Sequence, residues 1–255
     1  MNSSSIIYIP KPNPTAKLRI FCFPYGGGSA STYVSWPDLL SPELEVAVVQ
    51  LPGRGIRLLE PPYQTMAEIV KNLVPAISAM AHTPYIIFGH SLGARIAYEV
   101  ITELQQYNYP LPLHFIASGA WAPGSIRKNE PIHQLPNTEF IKEIIELNTA
   151  QREVLENAEM IALLLPVLRA DFKINETHKF ETKKIVPIKV SVVSGDEDHD
   201  IEPSHLELWF SLFTSNTGIH WISGNHFFVD SNKSSVIDLV RQLTIKSKYT
   251  FDKTS

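Results

Sequence analysis

The sequence predicts an α/β fold, a mostly parallel central sheet with helices on both faces, and two observations lead to it. Short runs rich in β-branched and aromatic residues alternate with stretches of helical periodicity, the order that parallel βαβ units require. The composition, 44% hydrophobic and 19% charged over 255 residues, suits a soluble globular protein with a large core. At this length one α/β domain, 1–255, is the simplest organisation.

Strands are expected at 18–23, 45–51, 85–88, 114–118, 188–194 and 219–222. The first is an apolar run containing the single cysteine, Cys22, which reads as a buried strand residue. The third, Tyr85-Ile86-Ile87-Phe88, is short, β-branched and aromatic. Helices are expected at 65–81, at 94–106, where apolar residues recur three and four apart, and at 234–246. Between the strands ending near Ser118 and beginning near Ile188 lie about 70 residues, too many for a plain connection. Helical stretches at 138–147 and 151–165 within them suggest a lid insertion, approximately 125–185. Its apolar face, including Ile144, Leu147, Leu155, Ile161, Leu164 and Leu168, is expected above the strand ends, where such sheets place their active sites.

A net charge of −4 gives no case for binding nucleic acid or an anionic membrane. One cysteine excludes an internal disulfide and a cysteine metal cluster. Residues 1–14 lack the basic and apolar regions of a secretory signal. No apolar stretch approaches the roughly 18 residues of a membrane span, since 161–168 is short and contains Pro166. The expected location is therefore the cytoplasm.

The chemistry is written in Gly89-His90-Ser91-Leu92-Gly93, which follows the third strand and opens a helix. A strand, a sharp turn and a helix with serine at the apex form a nucleophile elbow, in which the glycines relieve side-chain clashes. Ser91 is the expected nucleophile, with the helix N-terminus beneath it favouring developing negative charge. In hydrolases with this elbow the acid and then the histidine follow the serine. Of nine histidines, His226 in Gly224-Asn225-His226-Phe227-Phe228 has the expected position near the C-terminus. His220 lies within a strand-like run and reads as structural, and His90 is expected to pack inside the elbow.

The acid lies in Gly195-Asp196-Glu197-Asp198-His199-Asp200. Strand, glycine, two residues, then aspartate points to Asp198, with Asp196 bracing the loop and Asp200 the second choice. A calcium loop is disfavoured because Ile201 stands where glycine is needed. Two backbone N–H groups are expected to form the oxyanion hole: Leu92, immediately after the serine, and Gly26 in Pro24-Tyr25-Gly26-Gly27-Gly28-Ser29. That glycine run lacks the lysine of a phosphate-binding loop. Arg54 and Arg57 are open to two readings, contact with an anionic partner or ordinary solvated charge.

Together these motifs resemble the type II thioesterases that accompany nonribosomal peptide and polyketide synthases, a family that includes the medium-chain acyl hydrolase of animal fatty acid synthase. The resemblance spans about residues 15–243. It also rests on Trp36, Leu51-Pro52-Gly53-Arg54, Leu165-Pro166, Arg169-Ala170-Asp171-Phe172 and Trp209. Gly26 often corresponds to alanine in the family, Asn225 usually to glycine, and His199 commonly to proline.

The resemblance implies an α/β-hydrolase fold and hydrolysis of acyl groups from the phosphopantetheine thiol of carrier proteins, releasing stalled or misprimed chains. It implies no metal or resident cofactor, since phosphopantetheine arrives with the substrate. The expected partner is an acyl or peptidyl carrier domain and the expected state a monomer. The alternatives are a small-molecule carboxylesterase, a fatty-acyl thioesterase, or a noncatalytic scaffold.

Overall fold

The computed structural model describes residues 5–125, 130–147, 157–181 and 185–252, with side chains described through residue 245. Seven strands form one sheet in the order β1-β3-β2-β4-β5-β6-β7. They are β1 (Ile7–Tyr8), β2 (Leu18–Phe23), β3 (Leu44–Val49), β4 (Tyr85–His90), β5 (His114–Ser118), β6 (Val186–Gly195) and β7 (Phe213–Ile222). β1 runs antiparallel to β3, and every other pairing is parallel. In the register, Phe23 faces Gly89, His90 faces Ser118, and Ser118 faces Val193. The loops that follow β2, β4, β5 and β6 therefore open along one rim.

The helices are α1 (Trp36–Leu39), α2 (Met66–Met80), α3 (Leu92–Gln106), α4 (Asn137–Leu147), α5 (Ala158–Thr177), α6 (Pro203–Glu207), α7 (Phe228–Ser231) and α8 (Lys233–Asp252). α2 starts at a capping box: the Thr65 hydroxyl accepts from the Glu68 N–H at 3.2 Å, and the Glu68 carboxylate accepts from the Thr65 N–H at 3.0 Å. Period-two alternation sends successive strand residues to opposite faces. Phe21, Ala47, Ile87 and Phe115 pack with Ile69 and Leu73 of α2 and Ala97 and Ile101 of α3. Ile20, Cys22, Val46, Phe88 and Ile116 pack with Trp36 of α1 and Val236 and Val240 of α8.

All six expected strands form, with two differences. β1 is too short to give a pattern, and β7 starts at Phe213 rather than 219. The first half of β7 is polar and largely exposed, Gly218 sits at φ +86°, and its register with β6 is interrupted, as an edge strand allows.

Between β5 and β6, α4 and α5 share a small core of Phe140, Ile144, Ile145 and Leu168. Of the helix expected at 151–165, residues 151–156 lie outside the described residues, 158–165 are helical as expected, and α5 runs on from Ala158 through Pro166 to Thr177. Proline removes one helical hydrogen bond. Here the turns beyond it bury Val167, Leu168, Ala170, Asp171 and Ile174, and that packing outweighs the local cost. Among the described residues no helix is long and apolar enough to cross a membrane.

Candidate active site

Ser91 occupies the tight turn between β4 and α3 with φ 55° and ψ −122°, a strained conformation for a residue with a side chain. Its N–H donates to the Ser118 carbonyl at 2.8 Å. The flanking glycines are dictated by backbone approach. A Cβ on Gly93 would stand 2.1 Å from the Phe23 oxygen, and one on Gly89 2.6 Å from the Ala94 Cα. The turn aims the Ser91 side chain at the rim, over the N-terminus of α3.

The structure brings Ser91, His226 and Asp198 into one hydrogen-bonded relay. Ser91 Oγ lies 2.9 Å from His226 Nε2, and His226 Nδ1 lies 2.7 Å from Asp198 Oδ2. An ionised carboxylate only accepts, so the neutral imidazole carries its proton on Nδ1 and leaves Nε2 free to take the serine proton. The Asp198 side chain is only 1% exposed. Its other oxygen accepts from the Asp200 N–H at 3.3 Å.

The neighbouring carboxylates have other positions. Asp196 Oδ1 accepts from the Gly224 N–H at 2.9 Å, bracing the loop that carries His226. Asp200 is exposed, and its carbonyl accepts from Trp121 Nε1 at 2.9 Å.

His90 is fully buried beneath this relay. Its Nε2 lies 2.8 Å from the His226 carbonyl and its Nδ1 2.9 Å from Ser118 Oγ. A carbonyl cannot donate, so Nε2 carries the proton and the Ser118 hydroxyl donates to Nδ1. Burial, reinforced by the nearby His226, pushes the His90 pKa down to about 3, so it stays neutral and tethers the His226 backbone. Ser118 is not singled out by the sequence, because a serine ending a strand carries no local signal. His220, in β7, bonds Thr217 at 2.8 Å.

Gly26 and Leu92 come close to each other, since a Cβ on Gly26 would be 3.8 Å from Leu92 Cδ2, and both line the same cavity as Ser91. The Gly28 N–H donates to the Tyr25 carbonyl at 2.9 Å, and the Gly27 N–H to Asp171 Oδ2 at 2.7 Å. Arg54 and Arg57, open to two readings from sequence, are neither solvated nor available to a partner. Arg54 is 5% exposed and forks onto the Asp171 carboxylate, while Arg57 pairs with Glu60 and donates to the Gln50 carbonyl.

Ser91 and His226 open into a cavity of about 980 Å³ that runs under the lid. Ile144, Leu147, Leu164 and Leu168 line it as expected. Ile161 instead packs within the lid's own core, and Leu155 lies outside the described residues. Among the described residues no group of three or more His, Cys, Asp or Glu side chains could hold a metal ion. A strained serine, an imidazole within hydrogen-bond reach of it and a buried carboxylate on the far side of that ring suit acyl transfer through a serine ester.

Comparison with known proteins identifies the family. The chain is 33% identical over 234 residues to the linear gramicidin dehydrogenase LgrE of Brevibacillus parabrevis, covering 91% of this chain and 89% of that one. It is 33% identical over 228 residues to the gramicidin S biosynthesis protein GrsT of Aneurinibacillus migulanus, covering 89% of each. The solved structure of the type II thioesterase BorB from the borrelidin biosynthetic cluster superposes with a TM-score of 0.85 at 27% identity, over 94% of this chain and 99% of that one. The thioesterase domain profile matches residues 18–244, and the chain belongs to the thioesterase family.

Proposed function

We propose that this enzyme hydrolyses acyl thioesters carried on the phosphopantetheine arm of carrier proteins, clearing stalled or misprimed groups from nonribosomal peptide or polyketide synthases. The observation that carries this reading is the Ser91–His226–Asp198 relay at the mouth of a lid-covered cavity, in a chain related along most of its length to proteins of such pathways. The dehydrogenase in one relative's name stays with that protein, because the relay here supplies a nucleophile and a base rather than a means of hydride transfer.

In this mechanism His226 Nε2 takes the Ser91 proton as Oγ attacks the thioester carbonyl. The Leu92 and Gly26 N–H groups receive the oxyanion. The tetrahedral intermediate collapses, the C–S bond breaks, and His226 returns the proton to the leaving thiolate. Water, deprotonated by His226, then attacks the acyl-serine, and collapse releases the carboxylic acid and restores Ser91. Asp198 holds the imidazole tautomer and stabilises the imidazolium. No step calls for a metal or a resident cofactor, and in this reading the enzyme works as a cytoplasmic monomer.

A panel of acylated carrier proteins, their free pantetheine thioesters and matched oxygen esters tests the proposal. Carrier-bound thioesters should be turned over best, and Ser91→Ala should abolish both turnover and labelling by a fluorophosphonate. Preference for oxygen esters would move the reading to a small-molecule carboxylesterase. Indifference to the carrier would favour a fatty-acyl thioesterase. Unchanged hydrolysis by the alanine variant would sink the serine mechanism.

A further inference from the structure

One ion pair near the site takes no part in the relay. Arg54, on the loop after β3, donates from Nη1 to Asp171 Oδ2 at 2.6 Å and from Nη2 to Asp171 Oδ1 at 2.9 Å. Asp171 belongs to α5 and is 2% exposed. The same Oδ2 accepts the Gly27 N–H at 2.7 Å, and Arg54 Nη1 also reaches the Gly28 carbonyl at 3.4 Å. Arg54 Nε is held by the Pro52 carbonyl at 3.3 Å. The pair thus grips the glycine loop from both sides, by an N–H at Gly27 and a C=O at Gly28.

The surrounding packing leaves this loop no slack. A Cβ on Gly27 would lie 2.6 Å from Leu168 Cδ2, and one on Gly53 2.7 Å from Val167 Cγ2. One face of α5, carrying Val167, Leu168 and Asp171, therefore sits directly on the loops after β2 and β3. With the Gly27 N–H taken by Asp171 and the Gly28 N–H by Tyr25, the Gly26 N–H is the one in this glycine run with no acceptor among the described residues.

We infer that Arg54 and Asp171 are positioning residues that lock the glycine loop against the lid helix and so fix the Gly26 N–H as the second oxyanion donor. The inference rests on the serine mechanism proposed above. Asp171 holds the Gly27 N–H at 2.7 Å, which fixes the peptide that follows Gly26. A bidentate guanidinium–carboxylate fork restricts orientation as well as distance, so the donor is held in place before substrate arrives. Because Asp171 lies on α5, whose Leu164, Leu168 and Phe172 line the cavity, the oxyanion hole is complete only when the lid helix is seated.

Removing one partner would strand a buried charge, so the test removes both, with Arg54→Met and Asp171→Leu in one variant. With an acyl-N-acetylcysteamine thioester, kcat should fall about 10²–10³-fold, the loss seen when an oxyanion donor is removed, while KM stays within about threefold. The inhibition constant of a matched trifluoromethyl ketone, whose serine adduct bears the oxyanion, should rise in parallel with the loss in kcat/KM. A purely structural pair would instead lower the melting temperature and leave kcat per folded molecule unchanged. Should the double variant not fold, Arg54→Lys carries the same test, since it keeps the charge and loses the fork. A folded variant with native kcat and native ketone affinity overturns the inference. The Ser91→Ala control separates the two readings: residual hydrolysis there defeats the serine mechanism, whereas its loss beside a fully active double variant defeats only the role of the pair.

Discussion

At the strand-end rim, backbone lies against backbone: a Cβ on Gly93 would meet the Phe23 oxygen at 2.1 Å, and one on Gly195 the Gly224 oxygen at 2.3 Å. The lid is assembled from side chains. α4 and α5 meet through Phe140, Ile144, Ile145 and Leu168, and side-chain hydrogen bonds hold the insertion together and tie it to the sheet domain. Arg95 donates to the Asn175 carbonyl at 2.7 Å, Glu176 accepts the Ile132 and His133 N–H groups at 3.1 and 3.0 Å, and Arg54 forks onto Asp171. Backbone contacts cannot repack, whereas side-chain contacts can. The serine turn is built where geometry is rigid, and the cavity beside it is lined where volume can change through substitution.

The largest effect should come from the relay. Asp198→Asn is expected to lower turnover about 10³–10⁴-fold by misorienting His226, while Asp200→Asn stays near wild type. Steady-state rates on one thioester decide this, and the reverse ranking would move the acid to Asp200. Next, Gly93→Ala forces a Cβ into the Phe23 carbonyl. It should cost about 3 kcal/mol of stability or more, read by urea unfolding, and weaken fluorophosphonate labelling. Native stability would show that the elbow backbone can adjust, which would break the contrast with the lid.

A smaller effect concerns pH. His114 in β5 is pushed down to about 3, by burial first and then by Lys189 and His220. Its folded pKa lies below the unfolded value, so its contribution to stability is complete above pH 6.5 and is lost as pH falls towards 3. Between pH 7.5 and 5 one such histidine should cost about 2 kcal/mol. His114→Gln should flatten that part of the urea-midpoint profile, and an unchanged slope would rule it out as a source. The smallest effect belongs to the lid. Leu164→Phe narrows the cavity, so long acyl thioesters should slow about tenfold relative to acetyl, with the melting temperature unchanged. Equal slowing on both substrates would mean that the lid transmits strain to the rim.

The readability of the sequence follows the same division. The elbow, the histidine turn and the acid loop are each local strand–loop units, so Ser91 and His226 stand out by order and context, and spacing favours Asp198 over Asp200. The structure brings Ser91, His226 and Asp198 together. The core strands are legible because burial on both faces demands continuous apolar runs. The edge is not, because the first half of β7 is polar and exposed. Proline misleads at α5, where the burial that carries the helix past Pro166 comes from distant elements.

By itself, then, the sequence determined the parallel α/β order, the serine turn, the histidine and the loop that carries the acid, because those features arise from neighbours along the chain. The choice of Asp198 over Asp200 came from the packed structure. Only the tertiary structure decided that Arg54 is a buried partner of Asp171 rather than a surface charge, that Ser118 and His90 secure the His226 backbone, and which lid residues face the cavity. Each of these depends on groups far apart in sequence, and burial and hydrogen-bond pairing at such distances are fixed only when the whole chain has packed.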